Sequence, residues 1–349
     1  MNKKIQINGR DIGTDFPPYI IAELSANHNG SLDTALKIIE QAKLCGADAI
    51  KLQTYKADTI TLDSRNEEFM IRGGLWDGQS LFELYEKAHM PWEWHKPLFE
   101  YARKLGITMF SSPFDRTAVD LLEDLNAPAY KIASFEAIDL PLIKYVASTG
   151  KPMIISTGMA DKVEISEAIQ AAYDGGCKEL VVLHCVSGYP APAEDYNLLT
   201  LQDMAKRFDV PVGLSDHTLD NTTAIASVVL GACVIEKHFT LDRNGGGPDD
   251  SFSLEPKELQ QLCQGAKTAW QALGKVDYGR KSSEQGNAQF RRSLYFVKDL
   301  KAGDIIDKSC IRSVRPGYGL PPKFYDEILG KTLVQDVEKN TATRLDLFK

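Results

Sequence analysis

The chain has 349 residues, 43% of them hydrophobic, and a formal charge of −8. That is enough apolar material for one large α/β domain and a small second one, while the acidic balance and the lack of any basic run exclude nucleic acid as a partner. Met1-Asn2-Lys3-Lys4-Ile5 does not open an apolar signal segment, no stretch is apolar enough to span a membrane, and the six cysteines stand apart without a CxxC pair, so a reduced, cytoplasmic protein with no disulfide framework is expected.

Up to about residue 275, short β-rich apolar runs alternate with stretches of helical periodicity, the pattern of a parallel sheet with crossover helices. Strands are predicted at 19–25, 49–53, 108–112, 129–134, 153–157, 180–185, 212–217 and 234–239. The helices between and after them are predicted at 32–45, 91–105, 116–125, 140–148, 162–173, 199–208, 221–230 and 256–273. Eight strand–helix units predict a TIM (β/α)8 barrel, with a doubly wound open sheet as the alternative. The insert at 55–90 is extra, and a long loop on the catalytic face commonly serves as a substrate lid. Beyond Leu273 the composition turns polar and then β-rich, which divides the chain into a barrel domain at 1–275, a linker at 276–288 and a small β-rich domain at 289–349.

In a parallel barrel the strands deliver their chemistry at their C-terminal ends, and side chains two apart share a face. Glu23 with Ser25, Lys51 with Gln53, Ser215 with His217 and Glu236 with His238 are therefore paired polar groups aimed into the barrel mouth. His217 and His238 end the seventh and eighth strands, where two imidazoles share one labile divalent ion or stand as hydrogen-bonded structural histidines. Asp216, Glu236 and Asp249 nearby are open to three roles: metal ligation, orienting the imidazoles, or proton transfer. Lys51 and Lys131, among the hydroxyls of Ser111, Ser112, Ser134, Ser156 and Thr157, suit a small polyanion carrying phosphate or carboxylate, against a structural pairing of either lysine with Glu23 or Glu136. Neither a GxGxxG after the first strand nor a Walker A motif is present, so no nucleotide cofactor is implied. His28, in the loop after the first strand, is expected to meet substrate, and the turn Gly245-Gly246-Gly247-Pro248-Asp249-Asp250 is either a connector or a loop that brings Asp249 inward.

These segments resemble, in order, those of the sialic acid synthase family. They are Ile21-Ala22-Glu23-Leu24-Ser25-Ala26-Asn27-His28-Asn29-Gly30, Ile50-Lys51-Leu52-Gln53-Thr54, Ser111-Ser112-Pro113-Phe114, Tyr130-Lys131-Ile132-Ala133-Ser134, Ser156-Thr157-Gly158-Met159, Gly213-Leu214-Ser215-Asp216-His217 and Glu236-Lys237-His238-Phe239. Within the family, Arg72-Gly73-Gly74-Leu75-Trp76, Ser313-Val314-Arg315-Pro316 and Gly319-Leu320 look most like the branch that makes pseudaminic acid. Ser187-Gly188-Tyr189-Pro190 departs from the Asn-Ile-Tyr-Pro common in sialate synthases.

The resemblance implies a divalent ion, manganese or else magnesium or cobalt, on His217 and His238. It implies phosphoenolpyruvate on Lys51, Lys131, Ser134, Ser156 and Ser215, with Glu23, Gln53, Ser112, Ser187, Tyr189 and Asp249 lining the same cleft. It further implies that the C-terminal segment is an antifreeze-like (SAF) domain, whose Arg315 reaches an acylamido sugar bound in the other subunit of a domain-swapped homodimer. The expected reaction joins phosphoenolpyruvate to a 2,4-diacetamido-2,4,6-trideoxy-altrose, with N-acetylneuraminate or legionaminate synthesis as alternatives. A metal-dependent pyruvate aldolase and a carbohydrate- or ice-binding module are competing readings of other classes. The polar ends on so many strands argue against the module.

Overall fold

The computed structural model describes residues 4–349. Eight parallel strands close into a barrel: β1 (Tyr19–Glu23), β2 (Ala49–Thr54), β3 (Thr108–Pro113), β4 (Tyr130–Ile132), β5 (Met153–Ser156), β6 (Leu180–Cys185), β7 (Val212–Ser215) and β8 (Val234–His238), with β8 hydrogen-bonded to β1. The crossover helices are α1 (Leu32–Cys45), α2 (Trp92–Leu105), α3 (Arg116–Asp124), α4 (Leu140–Ala147), α5 (Lys162–Asp174), α6 (Thr200–Phe208), α7 (Thr222–Val229) and α8 (Pro256–Leu273). The expected TIM barrel is thus the observed fold, and the open sheet is not.

Local chemistry explains the helix starts. Ser31, Asp115, Asp139 and Asp161 each cap a helix by accepting from the backbone N–H two or three residues on, which satisfies donors that a helix leaves unpaired in its first turn. Gly46, at φ 95°, closes α1 in the left-handed region that favours glycine.

Period-two alternation inside the strands separates the barrel into layers. Ile21, Ala49, Phe110, Ala129, Ile154, Leu183 and Val234 share one buried apolar cluster. Two residues further along each strand stand Glu23, Lys51, Ser112, Lys131, Ser156, Cys185 and Glu236, all buried. The lower half of the barrel is therefore a dry plug and the upper half a polar chamber. An N-terminal hairpin, Ile5–Ile7 with Arg10–Ile12, adds Ile5, Ile7 and Ile12 to the apolar cluster and seals that end. The sequence analysis above does not anticipate this hairpin.

Three predicted strands end early, each for a local reason. β1 stops at Glu23 because Ser25 adopts φ 47°. β4 stops at Ile132, where Ser134–Glu136 turns into a 3-10 helix. β7 stops at Ser215, after which Asp216 hydrogen-bonds to the Thr218 N–H. The insert folds into two short helices, Ala57–Ile60 and Leu81–Ala88, the second opened by a reciprocal Ser80–Glu83 capping box.

The chain divides into two compact units, one ending at Gly274 and the other Lys275–Lys349. In the second, strands Ser293–Phe296 and Ile311–Val314 pair antiparallel over a core that includes Leu294, Phe296, Ile306, Ile311, Ile328 and Leu333. Ser282–Phe290, which overlaps the end of the predicted linker, forms exposed 3-10 turns. Among the described residues no helix is long and apolar enough to cross a membrane.

Candidate active site

Barrel register brings the charged residues together. Glu23 lies opposite Lys51 on one side and His238 on the other, and Glu236 lies opposite Ser215. Lys51 Nζ is 2.8 Å from Glu23 Oε2 and 3.4 Å from Glu236 Oε1, while Lys131 Nζ is 3.0 Å from the same Glu236 oxygen. Lys51 also donates to Ser112 Oγ at 3.4 Å, and Ser215 donates to Glu236 at 3.2 Å. Two ammonium and two carboxylate groups thus form one buried network, in which each charge is tolerable only through the others.

The network sets its own protonation. Burial works against the charge on Glu236, but Lys131 and Lys51 prevail and hold its carboxyl below the usual range. Burial likewise opposes the Lys51 ammonium, and Glu23 and Glu236 outweigh it and raise its pKa. Lys131 is the weaker base, lowered chiefly by burial.

Above the network lies a cavity of about 470 Å³ whose lining includes Gln53, Ser134, Glu136, Ser187, Tyr189, His238 and Asp249. Gln53 Nε2 donates to Glu23 at 3.2 Å and to Ser25 Oγ at 2.9 Å, and Ser25 in turn donates to Asp249. Ser134 Oγ accepts from Gly158 N–H at 3.1 Å. A side-chain methyl at Gly158 would collide with the hydroxyls of Ser134 and Ser187, so only glycine leaves that corner open. The oxygens Ser156 Oγ, Ser187 Oγ, Glu136 Oε2 and Glu236 Oε2 are buried without a hydrogen-bond partner. Buried polar atoms are nearly always paired, so this concentration marks a place built for a polar ligand.

His217 and His238 stand with ring centroids 5.5 Å apart, and the Tyr189 ring lies 4.5 Å from the first and 6.2 Å from the second. The Nδ1 of His217 is 2.8 Å from the Val186 carbonyl, a partner that fixes the tautomer and frees Nε2. His238 Nδ1 is buried and unpaired, 3.9 Å from Asp249 Oδ2. Burial, reinforced by His217 and Lys51, drives the His238 pKa well below the ordinary value, which leaves a neutral imidazole with a lone pair to give. These two side chains fit a divalent ion as its protein ligands. Among the described residues no group of three or more His, Cys, Asp or Glu is preassembled, so water and substrate would complete the shell, as in an open rather than a structural site.

Glu23, Lys51, Gln53, Ser112, Lys131, Ser134, Ser156, Ser187, Tyr189, Ser215, His217, His238 and Asp249 all stand at this mouth or in the network beneath it. Arg315 does not. It is exposed on the second unit, beside Arg312 and Lys339. Two expectations are corrected. Asp216 is spent on a buried pair with Lys237 at 2.8 Å and on Thr218, away from the imidazoles. His28 is packed edge to face on Trp94 at 5.5 Å, its Nδ1 accepting from Gly30 N–H, and burial lowers its pKa to about 4.

Two residues, Glu136 and Cys185, enter the site unassigned by sequence, and Ser25, expected at the barrel mouth, gains a partner there. Glu136 lines the cavity, and burial raises its carboxyl to about 7. Ser25 orients Asp249. Cys185 lies 3.9 Å from His217 Nδ1. Alternation from Leu183 would have placed Cys185 inward, whereas Glu136 follows a 3-10 turn that no strand parity predicts.

A closed parallel barrel with a ligand-demanding polar chamber at the C-terminal ends of its strands defines a TIM-barrel enzyme. The chain belongs to the NeuB family, whose profile matches residues 38–278, and a SAF domain follows at 291–348. It is 45% identical to a pseudaminic acid synthase of Campylobacter jejuni over 97% of this chain and 99% of that one. It is 43% identical to the pseudaminic acid synthase of Helicobacter pylori over 95% and 97%. Among solved structures, the N-acetylneuraminic acid synthetase of Leptospira borgpetersenii, in complex with citrate, superposes with a TM-score of 0.73 at 31% identity, covering 82% of this chain and 95% of that one.

Proposed function

We propose that the chain is a pseudaminic acid synthase, condensing phosphoenolpyruvate with 2,4-diacetamido-2,4,6-trideoxy-altrose to give pseudaminic acid and phosphate. The observation that carries this is the chamber itself: two lysines beneath unpaired hydroxyls, next to two imidazoles, of which His238 is held neutral by burial. Lys51 and Lys131 offer fixed positive charge to the phosphate, and the hydroxyls of Ser134 and Ser156 offer directional donors to the phosphate and carboxylate, with Ser215 bracing Glu236 beside the lysines.

His217 and His238 would hold a divalent ion, manganese in this reading with magnesium or cobalt as alternatives, and such an ion when bound supplies Lewis acidity toward a carbonyl. The enzyme's own residues do the rest. As C3 of phosphoenolpyruvate forms its bond to the sugar's aldehyde carbon, positive charge develops at C2. Glu23 or Asp249 takes a proton from the water that adds there. The tetrahedral intermediate then expels phosphate, whose charge the two lysines stabilise. Glu136, whose carboxyl keeps its proton up to about pH 7, can give that proton to the alkoxide formed from the aldehyde oxygen and is reprotonated from solvent. In the same reading the protein is a cytoplasmic, domain-swapped homodimer in which Arg315 contacts the sugar in the partner's barrel.

Phosphate release from phosphoenolpyruvate, measured across N-acetylmannosamine and the altrose- and mannose-configured diacetamido sugars, tests this. The altrose sugar is expected to give the highest kcat/KM. Equal or better efficiency with either of the others overturns the proposed substrate, and no release with any overturns the reaction.

A further inference from the structure

The cavity changes character from floor to roof, and the chemistry above does not require the roof. The floor is the lysine–glutamate network and the walls carry polar atoms, but the end supplied by the insert is apolar, with Ile60, Leu84 and Ala88 beside the rings of Tyr55, Tyr85 and Phe114. Those rings interlock edge to face, Tyr55 at 5.8 Å from Tyr85 and 5.1 Å from Phe114, so the wall is fixed by its own packing. Trp76 closes one side, its Nε1 donating to the Pro248 carbonyl at 3.3 Å and its ring 6.1 Å from Tyr189.

A hydroxyl turned toward the aliphatic part of that wall loses water and gains no partner, whereas a methyl loses nothing and buries its surface. We propose that Ile60, Leu84 and Ala88 form a specificity subsite that takes the terminal methyl of a 6-deoxy acceptor sugar and selects it over the 6-hydroxy form. The proposal rests on the reading that the acceptor is an acylamido sugar. The reacting aldehyde belongs beside the imidazoles, against which the Tyr189 ring packs at a tilt and edge to face. Five C–C bonds of about 1.5 Å carry the other end of a six-carbon chain roughly 6 Å away, within a cavity that the insert's side chains also line. Acetamido groups branch from the middle of that chain and call for the polar atoms of Gln53, Glu136 and Ser187. The chain end alone asks for aliphatic side chains, which Ile60, Leu84 and Ala88 supply.

The test is kcat/KM for a matched pair, 2,4-diacetamido-2,4,6-trideoxy-altrose and its 6-hydroxy counterpart. The 6-deoxy sugar is expected to win by roughly 10- to 100-fold, the range in which an apolar pocket rejects an added hydroxyl. Ile60→Thr and Leu84→Asn should each bring the ratio to within about threefold of unity with the KM for phosphoenolpyruvate unchanged, and Leu84→Met should keep the wild-type ratio. Ile60 is only partly buried, so its variant reads the wall even where Leu84→Asn unfolds. A wild-type ratio within twofold, or variants that slow both sugars equally, overturns the subsite. If the acceptor proves to have another configuration, the same ratio on the deoxy and hydroxy forms of that sugar still decides it. If no acylamido sugar releases phosphate, the reading of the reaction has failed and takes the subsite with it.

Discussion

Glu136 shows how one carboxyl couples the chamber to pH. Burial raises its pKa to about 7 from 4.5, so between those values the unfolded chain has released a proton that the folded chain keeps. Stability therefore falls as pH rises through that window. Glu136→Gln should stabilise the protein at pH 8, by on the order of 1–2 kcal/mol after discounting for partial exposure, and change nothing at pH 4. Thermal melts at the two pH values check this. The same variant should lose any inflection near pH 7 in kcat/KM, because an amide cannot carry the proton; an unaltered inflection assigns it to another group. The imidazoles make a separate prediction. His217→Ala and His238→Ala should each abolish manganese binding, read by the paramagnetic signal of the free ion, while the melting temperature stays near that of the wild type. Chelation should stop phosphate release, and full activity after thorough chelation removes the metal from the reaction. Lys51, Gln53, Glu236 and His238 were legible because alternation on a strand fixes which side chains share a face. The network among them was not, since Glu236 serves both lysines only through register between strands that are far apart in sequence.

At the scale of elements, the strands owe their layering to one period-two rule, and the hairpin that plugs them follows another. Asn8 at φ 48° and Gly9 at φ 79° make the two-residue turn between Ile5–Ile7 and Arg10–Ile12, and Asn-Gly between alternating apolar residues is a strong hairpin signal. That signal was present in the sequence at Asn8-Gly9. Ile7 is fully buried in the plug. Ile7→Ala should cost about 2–4 kcal/mol in denaturant unfolding, through lost burial and the cavity left behind. The KM for phosphoenolpyruvate should hold, because the polar layer lies on the far side of the plug. A loss below 1 kcal/mol would show the hairpin to be a loose flap. What no local pattern gave was the stitching of the β1–α1 loop to the loop after β8, where Asn27 bonds Ser253 and Asn29 bonds Asp250. These contacts join residues more than 200 positions apart, and Ser25 reaches Asp249 only from a backbone conformation that serine seldom adopts.

For the molecule as a whole, the proposed contact of Arg315 with the sugar in a partner's barrel makes a prediction of its own. Lys51 and Lys131 lie in the network beneath the cavity, and Arg315 is exposed on a separately packed unit. Residues 274–281, where the second unit begins, are exposed and without regular structure, and eight such residues span at most about 26–29 Å. That reach is compatible with delivery to a neighbouring barrel, and a two-fold dimer would then make both deliveries at once. Lys51→Ala and Arg315→Ala homodimers should each be nearly inactive, the first for want of a phosphate contact and the second for want of a sugar contact. Co-expressed, half the dimers are mixed, and each mixed dimer assembles one intact site and one doubly defective site. Activity should therefore recover to roughly a quarter of wild-type sites. If each chain instead completes its own site, every site lacks one residue or the other, and tag-purified mixed dimers will show no recovery above the two parents.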